Sequence, residues 1–408
     1  MGLYPDPVVR RLQWARWIRS VAQGIGVVDV ALYLNALHWS AVAIGGVLAA
    51  SAVMGAVLIA AVGPLSDRFG RRPFLLAYDG LVVAGIFALL AFPVPPVITA
   101  ALVVTGLGRG QNGSAGPFTP AEQAWMASRV PGRERGMVFS ANNAVAFFGM
   151  GVGAILAGAP HWWAARLAGP ERFLPVFALV GLCSLVVWII LWATPEVRVT
   201  RRPQAAEGVR REENRRLGRL ALTTGLNGFA QGFTGPLISY WFATRYHAST
   251  AAVGLTLAAS FFATGLAAFG AGRLTGRFGS VRVVAVLQAA SGLLVVLLPW
   301  MPTLAAAAAL NAVRAALVRG GQGARAAVST SLTRDERRGL ALSVNALAFR
   351  TSSAAGPPIA GALWEAGWAE APFAVTAVLQ LAGAWLYWRW FRQQEPRAAQ
   401  PLEEVPSS

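Results

Sequence analysis

Twelve long apolar runs constrain this sequence more than any other feature. Each holds about 20 residues, the length of a helix that crosses the hydrocarbon core of a membrane. Only 13% of all residues are charged, against about 25% in ordinary soluble domains. The sequence therefore predicts an all-α polytopic membrane protein with twelve transmembrane helices. The predicted spans lie near residues 17–38, 41–63, 73–92, 96–118, 136–159, 173–193, 217–244, 250–272, 281–300, 303–325, 339–362 and 371–392.

The basic residues are divided unevenly between the two ends of these spans. All 35 of them are arginines, and the formal net charge is +17. Most stand in the loops of one side, as arginines do in loops that face the cytoplasm. We therefore expect a protein integral to the cytoplasmic (plasma) membrane, with both termini cytoplasmic. The arginines leave no soluble basic surface that could bind nucleic acid. We therefore expect the lipid bilayer, and not nucleic acid, as a partner.

One loop of the sequence occurs twice. Residues 63–72 are GPLSDRFGRR, and residues 272–281 are GRLTGRFGSV, 209 positions later. The segments that begin at Arg135 and Arg338 share a second pattern, at an offset of 203. Two similar offsets indicate a duplicated unit of six helices, which is a transporter architecture. We predict an N-terminal six-helix half at 1–194, a cytoplasmic linker at 195–216, a C-terminal six-helix half at 217–392 and a disordered cytoplasmic tail at 393–408.

The first copy of the loop resembles the signature of the major facilitator superfamily. That signature, G-x-L-[AS]-D-[RK]-x-G-R-[RK], joins the second and third helices of the family, and residues 63–72 fill it completely. The resemblance covers all twelve spans. It implies two pseudo-symmetric six-helix bundles, transport by alternating access and a latch between Asp67 and the positive N-terminus of the eleventh helix. The implied gating loop comprises Gly63, Asp67, Arg68, Gly70, Arg71 and Arg72.

Two ionisable residues deep in the predicted spans form the expected proton-coupling pair. Asp29 lies near the middle of the first span, and Arg109 lies near the middle of the fourth. Both helices line the cavity in the family that the sequence resembles, and protonation of Asp29 would release Arg109. A static buried ion pair is the alternative. Asp79 lies nearer the end of the third span, where we expect it to meet loop arginines.

The second half contains interior arginines without evident acidic partners. Arg314, Arg319 and Arg350 would make the cavity positive and favour an anionic substrate. The alternatives are that Arg319 extends to the cytoplasmic surface and that Arg350 caps helix carbonyls. Asn142 and Asn345 are related by the repeat and could face each other as ligands, although polar side chains also join helices. The substrate-binding candidates are Asn142, Asn227, Gln231, Tyr240, Asn311, Arg314, Asn345 and Arg350.

Glycines in the fifth and eleventh spans bear on helix bending and on the direction of transport. Exporters of the family often carry G-x-x-x-G-P-x-x-G-G in the fifth helix. This chain has Gly149, Gly153 and Gly158 there but lacks the proline, so the exporter pattern is incomplete. The predicted helix-bending positions are Gly153, Gly158, Gly356, Pro357 and Gly361.

No pattern in the sequence indicates a cofactor or a metal. His38, His161 and His247 fall near one face without ligand spacing, and Cys183 is the single cysteine. A chain without lysine also cannot carry the lysine-containing phosphate loop of ATP-driven pumps.

The sequence thus predicts a secondary active transporter, and not an enzyme, that moves a small organic solute. We expect proton coupling, efflux by antiport in preference to uptake, and a monomer. The alternative within the class is an uptake carrier or an uncoupled facilitator for an organic anion. The alternative from another class is a non-transporting membrane sensor on the same fold.

Overall fold

The computed structural model describes residues 5–69, 72–108, 135–195, 207–331 and 338–394, together with six positions between 119 and 130. Arg109, Gly70 and Arg71 lie outside the described residues. Within the described ranges the regular elements are all helices. The first half comprises α1 (Pro7–Ala36), α2 (Ala41–Phe69), α3 (Arg72–Ala91), α4 (Pro95–Thr105), α5 (Arg135–Leu156) and α6 (Leu174–Trp192).

The first helix begins well before the predicted span that starts near residue 17. Pro7 stands in its first turn, where a missing backbone N–H costs nothing. The Asp6 carboxylate accepts hydrogen bonds from the backbone N–H groups of Val8 (2.7 Å) and Val9 (3.2 Å). This cap extends α1 through a polar stretch that hydropathy alone assigns to the N-terminal tail.

The second half repeats this arrangement with more interruptions. Its helices are α7 (Glu207–Thr234), α8 (Ile238–Tyr246), α9 (Thr250–Phe278), α10 (Ser280–Leu297), α11 (Leu304–Gly320), α12 (Gln322–Ser331), α13 (Arg338–Ala354), α14 (Gly356–Glu365) and α15 (Ala371–Phe391).

Three predicted spans of the second half are each divided into two helices. The first break precedes α8 and contains Pro236, and the break between α13 and α14 is followed by Pro357. Proline cannot donate the backbone hydrogen bond of a helix interior and crowds the preceding turn, which explains both breaks. The third break falls at Gly321. Helix α7 also begins at Glu207, inside the segment predicted as a linker.

Eight described helical stretches are long and apolar enough to cross a membrane by length and composition. They include α1, α2, α3, α6 and α15, and α4 is a shorter apolar helix. The other predicted spans are divided by the helix breaks, or they continue into residues that the structure does not describe. A bundle of helices with these lengths and this hydrophobicity is typical of a polytopic membrane protein.

The two halves are packed by the same rule. In the first, α1 packs on α5 and α6, and α3 packs on α6. In the second, α7 packs on α13 and α15, and α10 packs on α15. Gly24 and Gly232 occupy matching places, since a Cβ would overlap the carbonyl oxygen of Met150 at the first and of Ser353 at the second. Met150 and Ser353 are separated by the same offset of 203 as Arg135 and Arg338.

Contacts between the halves run along α2 with α13 and α14, α5 with α9, and α1 with α8. We call the end of the bundle at which α1 and α7 begin the linker end, and the opposite end the loop end. These contacts place α1, α2 and α5 of the first half against the second half. The interior of the bundle lies behind them.

Candidate functional site

A buried cluster of charges joins three segments of the first half. The Arg19 guanidinium of α1 lies 2.8 Å from the Asp79 carboxylate of α3 and 2.6 Å from the carboxylate of Glu122. The side chains of Arg19, Asp79 and Glu122 are only 12%, 3% and 2% exposed. One cation therefore holds two carboxylates away from water, and removal of any member would leave an uncompensated buried charge.

A second arginine completes this cluster. Arg16 lies one turn before Arg19 and is fully buried, and its guanidinium donates a hydrogen bond to the Thr119 hydroxyl at 3.3 Å. With Arg16, Arg19, Asp79 and Glu122 the cluster contains two cations and two anions. Buried ionisable groups in a membrane protein mark functional sites by default.

The sequence prediction missed the centre of this cluster. Asp79 was expected to meet loop arginines, and this was wrong, because its partner Arg19 stands on helix α1. Arg19 stands at the start of the predicted span 17–38, and Glu122 falls between two predicted spans, so neither is among the interior candidates that the sequence indicates. The capped start of α1 at Asp6 is the signal that could have placed Arg19 well inside a helix and not near its start.

Asp29 is buried at the middle of α1 without a hydrogen-bonding partner. Neither carboxylate oxygen accepts a hydrogen bond from any residue that the structure describes. One turn further along, Tyr33 packs edge-on against Phe173 and Phe177, which places Asp29 on the α6 side of α1. The predicted pairing of Asp29 with Arg109 lies outside the described residues and stays a prediction.

The second half has a buried arginine bound only by neutral groups. The Arg314 guanidinium of α11 donates a hydrogen bond to the Asn311 side-chain oxygen at 3.1 Å, and the Asn311 amide donates to the Ser260 hydroxyl of α9 at 2.9 Å. Arg319 is also buried, with its guanidinium 5.8 Å from the centre of the Phe261 ring. The sequence contains no acid from 214 to 334, so the spans around Arg314 cannot neutralise it from within.

The uncharged candidates fall into different environments. Asn345 accepts a hydrogen bond from the Thr224 hydroxyl of its own half at 2.7 Å. Asn142 is buried, and its side-chain oxygen has no partner among the described residues, which is also true of Asn227. Asn142 and Asn345 lie on α5 and α13, which pack on different neighbours. Tyr240 stacks on Trp364 with 6.0 Å between ring centres. Gln231 and Arg350 are half-buried.

The predicted gating loop is only partly within the described residues. The backbone of Gly63, Asp67 and Arg68 continues α2 to its end at Phe69. Arg72 opens α3 and donates a hydrogen bond from its guanidinium to the Trp192 carbonyl at the end of α6. This contact ties the loop to the linker end of the first half.

The predicted helix-bending residues serve two purposes. Gly356 and Pro357 stand at the break between α13 and α14. Gly153 lies inside the uninterrupted helix α5, where a Cβ would overlap the Val21 carbonyl, so it permits close packing. Gly158 follows α5 and faces Ala251.

At the loop end the two halves are closed against each other. A Cβ at Gly361 of α14 would overlap the Ala41 carbonyl, and a Cβ at Gly45 of α2 would overlap the Pro357 carbonyl. The Glu365 carboxylate accepts a hydrogen bond from the backbone N–H of Val42 at 2.9 Å. Beneath this end, Ser239 of α8 donates a hydrogen bond to the Val27 carbonyl, near the middle of α1, at 3.1 Å.

Two repeated helical halves with charges buried between apolar helices define a polytopic membrane transporter. The family model described as Major Facilitator Superfamily matches residues 17–217 and 220–407. The chain belongs to this superfamily, which confirms the family and the fold predicted from the loop signature. Membership indicates an integral membrane protein that transports small substrates, and not an enzyme.

Solved structures and a curated relative agree with this fold. The D-xylose-proton symporter is 16% identical with a TM-score of 0.71, over 94% of this chain and 96% of that one. The human organic anion transporter MFSD10 (TETRAN) is 18% identical with a TM-score of 0.65, over 94% of this chain and all of that one. Inositol transporter 4 of Arabidopsis thaliana is 27% identical over 150 residues, 36% of this chain. That match spans less than a quarter of the inositol transporter's length.

Proposed function

We propose that this protein is a proton-coupled transporter of a small organic anion in the cytoplasmic membrane. The observation that carries the proposal is the separation of buried charge between the halves. The first half contains the buried acids Asp29, Asp79 and Glu122, whereas Arg314 and Arg319 of the second half stand in the stretch from 214 to 334, which contains no acid. A half that can take up protons thus faces a half that can attract an anion.

The proton-binding role falls first to the cluster of Arg19, Asp79 and Glu122. Two carboxylates that share one guanidinium in a water-poor interior repel each other. Protonation of one would relieve this repulsion and loosen its bond to Arg19. Because the three residues stand on different segments, the change would alter the packing between α1, α3 and the segment of Glu122.

Asp29 is the second candidate for the proton. An ionised carboxylate without a hydrogen bond is expensive in an apolar interior, whereas the neutral acid is tolerated. Its position on the α6 side of α1 separates it from the face that meets the second half. Asp29 would therefore act through the packing of α1, with Arg109 as its predicted partner.

The anion would bind at Arg314. Its partner Asn311 is neutral, so a carboxylate or phosphate oxygen would supply the missing negative charge. The hydrogen bond from Asn311 to Ser260 fixes the position of the Asn311 side chain, to which the Arg314 guanidinium is bonded. Asn142 and Asn227, each with a buried oxygen that lacks a described partner, could contact donor groups of the same solute.

The sides of the membrane follow from the arginine-rich loops, which would place the linker end and both termini in the cytoplasm. The closed loop end would then face outward, and the described conformation would be closed to the outside. We propose antiport as the direction to test first, although the exporter pattern of α5 is incomplete and does not itself favour antiport over uptake. A neutral solute taken up with protons is the second candidate, and the likeness to a D-xylose-proton symporter motivates its inclusion in the test.

The proposal is tested with purified protein in liposomes that contain a pH-sensitive dye. Monocarboxylates, dicarboxylates, organophosphates and neutral polyols are added in turn to wild type, Glu122→Gln, Asp29→Asn and the exposed control Glu212→Gln. Proton movement with an anion pool in wild type and Glu212→Gln, but not in Glu122→Gln, is the expected result. Proton movement with polyols alone would overturn the anionic substrate, and solute flux without proton movement would overturn the coupling.

A further inference from the structure

A second buried cluster lies at the linker end of the second half, apart from Arg314. Arg325 of α12 donates a hydrogen bond from its guanidinium to the Gln288 side-chain oxygen of α10. The Gln288 amide donates to the Gln380 carbonyl of α15 at 3.0 Å. The Arg325 guanidinium lies 4.9 Å from the centre of the Tyr387 ring. All four side chains are at least nine-tenths buried, with Arg325 8% exposed and Gln380 fully enclosed.

Several polar atoms of this cluster have no partner. Among the described residues none bonds the second terminal nitrogen of Arg325, the two side-chain amide atoms of Gln380 or the Tyr387 hydroxyl. The Ser291 hydroxyl, one turn from Gln288 on α10, is likewise buried without one. A buried polar group without a hydrogen-bonding partner destabilises the folded state, and more so when it is charged. A terminal nitrogen of Arg325, the Gln380 amide nitrogen and the hydroxyls of Tyr387 and Ser291 are thus four buried donors without an acceptor among the described residues.

The repeat shows which group is missing. Gln288 follows Asp79 by 209 positions, and Arg325 follows Glu122 by 203, the two offsets that relate the repeated motifs. The first half has two carboxylates here, balanced by Arg16 and Arg19. The second half has an amide and an arginine in their places. The buried Arg325 therefore faces an amide where the first half has the Asp79 carboxylate.

Among the described residues, no acid forms an ion pair with the Arg325 guanidinium. The buried acid of α7 is Glu213, and the described ion pairs do not join it to Arg325. The interactions that the structure shows for the Arg325 side chain are with Gln288 and the Tyr387 ring. A desolvated guanidinium without a counter-charge is unfavourable, because burial removes its hydration.

We propose that this cluster binds a small monovalent inorganic anion such as chloride. Arg325 supplies the charge, and the Gln380 amide, the Tyr387 hydroxyl and the Ser291 hydroxyl supply hydrogen bonds. The anion occupies the role that the Asp79 carboxylate has in the first half. It holds α12 against α10 and α15, and so stabilises the linker end of the second half.

The test measures thermal unfolding of the full-length protein in detergent, at constant ionic strength, as chloride replaces gluconate. Wild type should show a saturable rise in Tm of at least about 2 °C, because an anion that binds only the folded state stabilises it. Gln288→Glu supplies the carboxylate within the chain, so its Tm in gluconate should rise and its response to chloride should disappear. Arg325→Gln should also lose the response, and Arg314→Gln should keep it.

Two results would overturn the proposal. One is a wild-type Tm that does not change with chloride, which would mean that water alone fills the cluster. The other is an equal chloride response in wild type and Gln288→Glu, which would place the anion elsewhere. If Arg325→Gln fails to fold, Gln288→Glu still decides the question. The measurement needs no transport, so it stands or falls separately from the proposed function.

Discussion

The Arg19 guanidinium and the Asp79 carboxylate lie 2.8 Å apart in the interior of the first half, and Glu122 binds the same guanidinium from the other side. This relationship connects α1, α3 and the segment that follows α4. In the second half, the equivalent positions of Asp79 and Glu122 are Gln288 and Arg325. The repeat has thus kept its backbone packing while an amide and an arginine stand in place of two buried acids.

Arg19→Gln should destabilise the protein strongly. The substitution leaves the carboxylates of Asp79 and Glu122 buried without their cation, which costs about 3–5 kcal/mol of unfolding free energy. Unfolding of purified protein in detergent measures the loss. The control Arg216→Gln breaks an exposed helix pair with Glu212 and should cost about 0.5 kcal/mol or less. The double variant Arg19→Gln/Asp79→Asn should be more stable than Arg19→Gln, and equal stability of the two would argue against the cluster.

Glu122→Gln should separate proton movement from substrate exchange. A glutamine keeps an oxygen that can accept the Arg19 hydrogen bond, but it cannot take up a proton. Labelled substrate should still exchange across the liposome membrane when both sides contain it, while uptake driven by a pH gradient should fall at least about 10-fold. A variant that still accumulates substrate against its gradient in response to pH would exclude Glu122 as the coupling acid.

Arg314→Gln should weaken binding of an anionic substrate. The loss of a charge-assisted hydrogen bond of about 1.5–3 kcal/mol corresponds to a rise in KM of about 10- to 100-fold. Transport assays over a range of substrate concentrations measure this rise. Arg245→Gln removes an exposed arginine at the loop end and serves as the matched control. If the two variants have the same KM, the anion binds away from Arg314.

Gly45→Ala should open the loop end, and Gly46→Ala should not. A methyl group at Gly45 meets the Pro357 carbonyl, whereas nothing lies within 4 Å of the corresponding position at Gly46. Both are made in a Cys183→Ser/Ser239→Cys background, since Ser239 is fully buried beneath this end. A hydrophilic maleimide should label Gly45→Ala at least about 10-fold faster than Gly46→Ala, as an open loop end exposes the thiol. Equal labelling rates would mean that the glycine contact does not hold the end closed.

The fold was predictable because hydropathy, the repeat and the loop signature all record the same duplicated bundle. Interior positions were predictable too, as the burial of Asp29, Arg314 and Asn311 shows. The partners were not, because hydrogen bonds between distant segments leave no mark on local sequence. Arg19 appeared to stand near the start of a span, and Asp6 determines that it lies three turns inside a helix. The helix breaks at Pro236 and Pro357 were visible as prolines, but an apolar run hides them from a hydropathy window.

The glycine contacts at the loop end have a consequence for the kinetics of switching. Gly45 with Pro357 and Gly361 with Ala41 bring backbone against backbone, without side chains between them. These backbone contacts involve no side-chain rotamers, so the contacts cannot loosen gradually through rotamer changes. The contact between the halves is either fully formed or absent, so opening of the loop end should be abrupt. Few partly open states should therefore exist through which solute or protons could leak.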